Sequence, residues 1–289
     1  MKLIDGKNLS QKIRKNVKKE IEILESVGVT PGLAVILVGD DPASKTYVSM
    51  KEKACEEAGI YSIVHKMPIS ISQEKILEIL DMINKNDYID GILVQLPLPK
   101  HIDTNKIIEA IDHDKDVDGF HPFNVGRLVS GLDSFVPCTP LGVMEMLKEY
   151  GIDPKSKDVC IVGASNIVGK PMLNLLLNAG ATVDICHIFT KDLKAHTQKA
   201  DIVIVGVGKA GLITEDMVKN GAIVIDIGIN RLESGKLVGD VDFDKVAPKC
   251  SFITPVPGGV GPMTIAMLLS NTLKAAKNRN KKKEKNEQD

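Results

Sequence analysis

The chain has 289 residues, 43% of them hydrophobic and 26% charged, and a formal net charge of −1. Such a chain can bury a sizeable globular core, and without a basic excess it offers no nucleic-acid surface. Aromatic residues are only 3% and tryptophan is absent, which also argues against stacking platforms for single strands.

Helical and strand patterns alternate along the chain. The spacing of apolar residues predicts a helix from Asn8 to about Glu25, then a buried strand from Leu33 to Val38. Helix Ala43 to Glu57, strand Ser62 to Lys66, helix Gln73 to Asn84, strand Gly91 to Gln95 and a short helix near Asn105 to Ile111 follow. A second series begins after Pro140: a helix to about Tyr150, strand Asp158 to Val162, helix Val168 to Asn178 and strand Thr182 to Cys186. Strands Ile202 to Val205 and Ala222 to Asp226 complete it. Apolar strands separated by helices predict an α/β protein with a mostly parallel sheet covered on both faces. The boundary between two α/β domains is placed near Pro137 to Pro140, with residues 1–138 in the first domain and 139–261 in the second.

Between Thr254 and Thr264 three prolines follow Thr254 and three glycines stand among them, a stiff loop poor in side chains. Pro262 stands where a helix can start, and Ile265, Met267, Leu268, Leu269 and Leu273 continue at helical spacing to about residue 278. The lysine-rich residues 279–289 read as a solvated, disordered tail. No apolar run is long enough to span a bilayer, and the N-terminus, with Lys2 and Asp5, has no signal-type apolar stretch. Cys55, Cys138, Cys160, Cys186 and Cys250 are odd in number and lack CxxC spacing. Reduced, mostly buried thiols in a cytoplasmic protein are expected, with no disulfide framework and no metal site.

Several polar residues stand where chemistry is possible. Tyr47 and Lys51 are four apart on a predicted helix and share a face; taken alone, such a lysine reads as a surface residue. Gln95 ends a strand at the Pro-rich Leu96-Pro97-Leu98-Pro99, whose spacing admits a cis peptide. Carboxyl ends of parallel strands are where ligands tend to bind, though a glutamine there also caps loose backbone groups. Asp114, Asp116 and Asp118 before Gly119 imitate the start of an EF-hand loop, but Val125 stands where its closing glutamate belongs. Asp116 is expected to brace the turn. Gly163, Ser165 and Gly169 form G-x-S-x-x-x-G between a strand and a helix, one residue longer than the usual dinucleotide fingerprint. The strand–loop–helix context favours phosphate binding at a helix N-terminus over a structural turn.

Taken in order, Tyr47-Val48-Ser49-Met50-Lys51, Asp90 to Pro99, Lys115 to Phe120, Gly163 to Pro171 and Thr254 to Thr264 resemble the bifunctional methylenetetrahydrofolate dehydrogenase/cyclohydrolase family. The resemblance spans nearly the whole chain. It implies an N-terminal α/β catalytic domain, joined by the returning C-terminal helix, and a Rossmann-like dinucleotide-binding domain. It further implies NADP-dependent oxidation of 5,10-methylenetetrahydrofolate followed by hydrolysis to 10-formyltetrahydrofolate, without a metal, in a homodimer whose partners are tetrahydrofolate one-carbon substrates. Lys51 matches the family's acid/base, Gln95 the residue that bonds and tunes it, Tyr47 a ring stacked on folate and Asp118 the pterin carboxylate. Pro257, Gly258, Gly259 and Pro262 match part of the folate cleft, and Gly163, Ala164, Ser165 and Ile229 match nucleotide contacts, although Ile229 reads equally as a buried strand end. A lysine serves as acid/base where desolvation or neighbouring dipoles favour its neutral form. Two rival readings are a different Rossmann oxidoreductase, of the amino-acid dehydrogenase type, and a noncatalytic folate- or nucleotide-binding regulator.

One departure from the family pattern concerns the cofactor. Many relatives read His-Ser-Arg-Thr after the second nucleotide-domain strand, with serine and arginine available to a 2′-phosphate; here His187-Ile188-Phe189-Thr190 stands instead. No acidic residue of the NAD type follows Cys186 directly, and Asp192 lies further on. Thr190 and Lys191 remain for a phosphate, so NADP is expected to be preferred, with NAD as the weaker alternative.

Overall fold

Strand β2 is buried at all seven of its positions, Gly32–Val38, because helices cover both faces of the sheet it centres. The structure, a computed structural model, describes residues 1–286. In chain order its elements are β1 (Lys2–Leu3), α1 (Gly6–Glu25), β2, α2 (Pro42–Ala58), β3 (Tyr61–Met67), α3 (Gln73–Asn84), β4 (Gly91–Val94), α4 (Thr104–Glu109), α5 (Pro122–Val129) and α6 (Cys138–Glu149). They continue with β5 (Asp158–Val162), α7 (Gly169–Asn178), β6 (Thr182–Cys186), α8 (Leu193–Lys199), β7 (Ile202–Val205), β8 (Ile223–Asp226), β9 (Asn230–Arg231), β10 (Leu237–Val238), α9 (Phe243–Val246), β11 (Phe252–Ile253) and α10 (Val260–Asn286). Most expected elements appear within a few residues of their predicted ends. The two-residue strands and helices α5, α8 and α9 were not foreseen, since pieces that short carry little periodic signal.

The chain divides into two compact units. One comprises Lys12–Arg127, Asp133–Cys138 and the chain from Ile265 onward. Its parallel sheet has the order β3-β2-β4, and Ala34, Ile36, Val38, Ile76, Leu80, Ile92, Val94 and Ile107 fill the core on one side. The other comprises Met1–Gln11, Leu128–Leu132 and Thr139–Thr264. Its six-stranded parallel sheet runs β1-β11-β8-β7-β5-β6. The order in which the chain adds strands to that sheet reverses at β5, which has β6 on one side and β7 on the other. In open parallel sheets such a switch point leaves a crevice at the carboxyl ends of the strands.

Two expectations are corrected. Residues 1–11, assigned by sequence to the first domain, belong with the six-stranded unit: Lys2 and Leu3 pair with Phe252 and Ile253 of β11. The expected disordered tail is helical as far as it is described, to Asn286; residues 287–289 lie outside the described residues. Ion pairs account for the extension: Lys277 meets Glu20, Arg279 Nε lies 2.6 Å from Asp90 Oδ1, and Lys282 meets Asp114. Asp90 is fully buried, so its pair with Arg279 ties the late turns of α10 to the start of β4. All five cysteines are buried and unpaired, and burial pushes the Cys55 thiol up to about 12.

Candidate functional site

Helix α2 starts cleanly because Asp41 accepts from Ser44 N at 2.7 Å and Pro42 occupies the first turn. It stops at Gly59, which is left-handed at φ 85°. The buried stripe of α2 runs Ser44, Val48, Lys51, Cys55 and Ala58, at the three-and-four spacing of a helix face. Lys51 therefore stands on the inward face, 8% exposed, where an aliphatic residue would ordinarily be. Its ammonium nitrogen, Nζ, lies 3.0 Å from Gln95 Oε1. Gln95 follows the last residue of β4 and is aimed by two bonds: its backbone N–H donates to Ile36 O at 2.9 Å, and its side-chain Nε2 donates to Leu96 O at 2.8 Å. With Nε2 so occupied, Oε1 is left to face Lys51. The Leu96–Pro97 bond is cis, as the proline spacing admits. Tyr47, one turn before Lys51, is half-buried, and desolvation raises its phenol.

Asp118 reaches the same end of the sheet by another route. Ile92 of β4 takes Lys115 O at 2.7 Å through its N–H and bridges to Asp116, so the chain runs alongside β4 just before Asp118. Asp116 braces the turn as expected, accepting from Phe120 N, His121 N and Asn124 Nδ2 at 3.2, 2.8 and 2.9 Å. Gly119 has φ 70°, and a Cβ there would lie 2.7 Å from the backbone of Phe135 and Pro137. Burial pushes the Asp118 carboxyl up to about 6, although Lys51 pulls the other way. Two residues that the sequence did not single out hold this turn. Asn271 Nδ2, from α10, donates to Val117 O at 2.8 Å and Val136 O at 3.0 Å. The Cys138 thiol points at Asp118 Oδ1 from 3.8 Å. Lys51, Gln95 and Asp118, far apart in sequence, thus converge beyond the carboxyl ends of β2 and β4.

In the six-stranded unit the loop after β5 has the form a dinucleotide needs. Gly163 has φ 120°, and a Cβ there would sit 2.6 Å from Gly206 O. A Cβ on Gly169 would sit 1.9 Å from Gly163 O and 2.9 Å from Ala164 Cα. Side-chain-free backbone at both places lets the loop fold onto the start of α7 and lets phosphate oxygens approach. Ser165 Oγ accepts from Val168 N at 3.1 Å and Gly169 N at 3.5 Å, holding the loop against the start of α7. The residues present fit a dinucleotide's phosphates at this helix N-terminus. Ile229 follows β8 and is 44% exposed, so its alternative reading as a buried strand end is not what the structure has.

Pro257, Gly258, Gly259 and Pro262 lie in this second unit as well. The Val256–Pro257 bond is cis, Gly258 has φ 103°, and Gly258 O accepts from Lys7 N at 2.9 Å. A Cβ on Gly6 would fall 2.0 Å from Gly259 O, so the loop packs directly on the start of α1. Helix α10 opens at Val260, two residues before the predicted Pro262.

Comparison with known proteins agrees with this geometry. The tetrahydrofolate dehydrogenase/cyclohydrolase catalytic domain matches residues 4–118, and the NAD(P)-binding domain of the same family matches residues 137–280. The bifunctional protein FolD of Sulfurovum sp. is 73% identical over 280 residues, 96% of this chain and 100% of the relative. The crystal structure of the Campylobacter jejuni bifunctional enzyme FolD, a methylenetetrahydrofolate dehydrogenase/cyclohydrolase, superposes with a TM-score of 0.96 at 60% identity. It covers 96% of this chain and 99% of the other. The Trypanosoma brucei methylenetetrahydrofolate dehydrogenase-cyclohydrolase, solved with NADP and an inhibitor, gives 0.92 at 38% identity, covering 96% of this chain and 97% of the other. Identity of that order over nearly full length removes the amino-acid dehydrogenase and noncatalytic readings. The chain belongs to the tetrahydrofolate dehydrogenase/cyclohydrolase family and is a bifunctional enzyme, methylenetetrahydrofolate dehydrogenase and methenyltetrahydrofolate cyclohydrolase in one polypeptide.

Proposed function

We propose that Tyr47, Lys51, Gln95 and Asp118 form the folate site of both reactions, with Lys51 as the acid/base. The observation that carries this reading is the 3.0 Å bond from Lys51 to Gln95 on the buried face of α2. A buried ammonium costs stability unless it is bonded and used, and Gln95 supplies an oriented, uncharged acceptor. Tyr47 offers a ring face to the folate, and Asp118 a carboxylate able to accept two parallel N–H bonds from the pterin edge. Holding the folate ring system by face and edge orients its one-carbon bridge, and NADP, when bound, accepts the hydride that leaves it. Hydrolysis then needs a proton shuttle. As a neutral amine, Lys51 Nζ takes a proton from the water adding to the methenyl carbon and returns it to the ring nitrogen as its bond to that carbon breaks, while the remaining hydroxyl proton leaves to solvent as the formyl C=O forms. Pro257, Gly258, Gly259 and Pro262 are read as further folate-cleft wall, and Gly163, Ala164, Ser165 and Ile229 as the nucleotide contacts. A homodimer and a cytoplasmic address, both implied by the family, complete the reading; among the described residues no helix is long and apolar enough to cross a membrane.

The NADP preference rests on what the end of β6 lacks. Ile188 and Phe189 are 91% and 85% exposed and offer a phosphate no donor side chain. Asp192 accepts from Ala195 N at 3.0 Å, capping α8, and Asp184 bonds His196 and Lys199. Both nearby carboxylates are therefore committed, and neither is left for a ribose 2′-hydroxyl. Thr190 accepts from His187 N at 2.9 Å and also bonds the Cys186 side chain, so the exposed Lys191 beside it is the group that remains for a phosphate. A spectrophotometric assay of methenyltetrahydrofolate formation and its hydrolysis, run with NADP and with NAD, tests both parts. Methenyl formation with kcat/KM higher for NADP, by a margin narrower than arginine-bearing relatives show, is expected. A higher kcat/KM with NAD overturns the cofactor reading, and no methenyl product with either overturns the placement of the chemistry.

Asp118 carries a pH prediction. Its folded carboxyl titrates near 6, above the ordinary carboxylate range, so the native state binds this proton more tightly than the unfolded chain does. Ionised Asp118 thus costs the fold stability above about pH 6, which marks it as a group kept for binding. Folate affinity, measured by titration, is expected to fall by roughly tenfold per unit as pH drops below that value, since the protonated acid loses one acceptor. Asp118→Asn is expected to weaken folate by roughly 10–100-fold while melting no lower than the parent. Unchanged folate affinity in that variant removes Asp118 from the site.

A further inference from the structure

The loops leaving β7 and β8 are tied together by one buried carboxylate that the proposed chemistry does not use. Asp240 is 0% exposed. Its Oδ2 accepts from Val207 N at 2.6 Å and Gly208 N at 3.0 Å; its Oδ1 accepts from Lys209 N at 2.8 Å and Asn230 Nδ2 at 2.8 Å. Three successive backbone N–H groups converging on one point make an anion nest. At the carboxyl edge of a dinucleotide-type sheet such a nest is a natural place for a phosphate, but here the chain fills it with its own side chain.

The surroundings are cut to fit this carboxylate. A Cβ on Gly228 would lie 2.2 Å from the Asp240 carboxyl carbon. Behind it Asp226, 3% exposed, accepts from Gly228 N, Asp240 N and Val241 N at 2.9, 3.0 and 2.9 Å. A Cβ on Gly239 would lie 1.8 Å from Asp226 Oδ2. Both strand exits are thereby clamped where they leave the sheet, next to the switch point at β5. Gly206, immediately before the clamped loop, is the residue whose carbonyl oxygen Gly163 approaches. The clamped segments present Val207 and Ile229, apolar and 43% and 44% exposed, on either side of the Asp240 contacts.

We propose that Asp240, with Asn230, is a positioning residue for the nucleotide: it touches no substrate but holds the Val207–Lys209 and Ile229–Asn230 backbone as a fixed apolar wall of the cofactor cleft. This rests on the reading that the nucleotide binds at the carboxyl ends of β5 and β7. An aspartate does this where asparagine cannot, because an amide presents N–H toward groups that are themselves donors.

The test uses the full-length protein and two readouts, the dissociation constant of NADPH by fluorescence titration and cyclohydrolase turnover, which transfers no hydride. Asp240→Asn is expected to weaken NADPH by about tenfold or more while cyclohydrolase turnover stays within about twofold. Asn230→Ser, which removes a single donor, is expected to weaken NADPH by about threefold. It decides the matter alone if Asp240→Asn does not fold. Unchanged NADPH affinity in a folded Asp240→Asn or in Asn230→Ser overturns the inference, as does a parallel loss of NADPH binding and cyclohydrolase turnover. Gly169→Ala separates the two levels: if it abolishes NADPH binding while Asp240→Asn and Asn230→Ser leave it intact, only the positioning role fails. If all three bind NADPH normally, the cofactor site itself is misplaced.

Discussion

Lys51→Met is expected to lower cyclohydrolase turnover by at least about 100-fold, the scale at which a positioned acid/base contributes. Methionine has nearly the length of lysine and suits the stripe in which Lys51 lies, between Val48 and Cys55, so the helix face stays filled. What is lost is the nitrogen 3.0 Å from Gln95 Oε1. Leaving that oxygen without its donor costs about 1–3 kcal/mol if it stays dry. Removing a buried ammonium offsets part of this, so the variant is expected to fold. The dehydrogenase half should suffer less, because hydride departure needs no proton shuttle. Near-normal hydrolysis of methenyltetrahydrofolate by a folded variant would remove Lys51 from the acid/base role.

Gly169→Ala is expected to do the reverse. The new Cβ would meet backbone only, at 1.9 Å from Gly163 O and 2.7 Å from Gly163 C, and no flexible side chain can give way. Either α7 shifts or the loop from Gly163 to Ser165 opens, and both move the helix N–H groups away from where phosphates would lie. Overpacking of this kind costs about 1–3 kcal/mol, so nucleotide affinity should fall by roughly 10–100-fold. Cyclohydrolase turnover, measured on methenyltetrahydrofolate without nucleotide, should persist. A variant that binds NADPH as tightly as the parent would show that this loop is not the phosphate site. Together the two substitutions are expected to separate the activities, each removing the one that the other spares.

Lys51 illustrates how far sequence alone reaches. Its place on one helix face with Tyr47 is legible from spacing, whereas its burial beside Val48 and Cys55 is not, since a lysine taken alone reads as a surface residue. Strands β2, β5 and β7 are legible as short apolar runs bounded by turn residues. The Gly163-to-Gly169 loop is legible because the need for bare backbone is written in glycines between a strand and a helix. The roles of Tyr47, Gln95 and Asp118 came from the family resemblance, and the structure shows only that Lys51, Gln95 and Asp118 converge.

Local pattern determined the elements, their alternation and the positions at which backbone must stay bare. Tertiary structure alone decided which residues hold those elements in place. Lys2 and Leu3 join a strand 250 residues away in sequence, Asn271 reaches the carbonyl of Val117 across 154, and Asp240 gathers the N–H groups of Val207 to Lys209 from about 30. The tail from Lys277 is charged enough to read as solvated, yet its helix continues because Glu20, Asp90 and Asp114 stand within reach. The physical reason is common to all four. Propensity and periodicity act over one or two turns of chain, whereas a polar group, buried or exposed, pairs with whichever partner the fold brings within about 3 Å, and sequence separation places no limit on that.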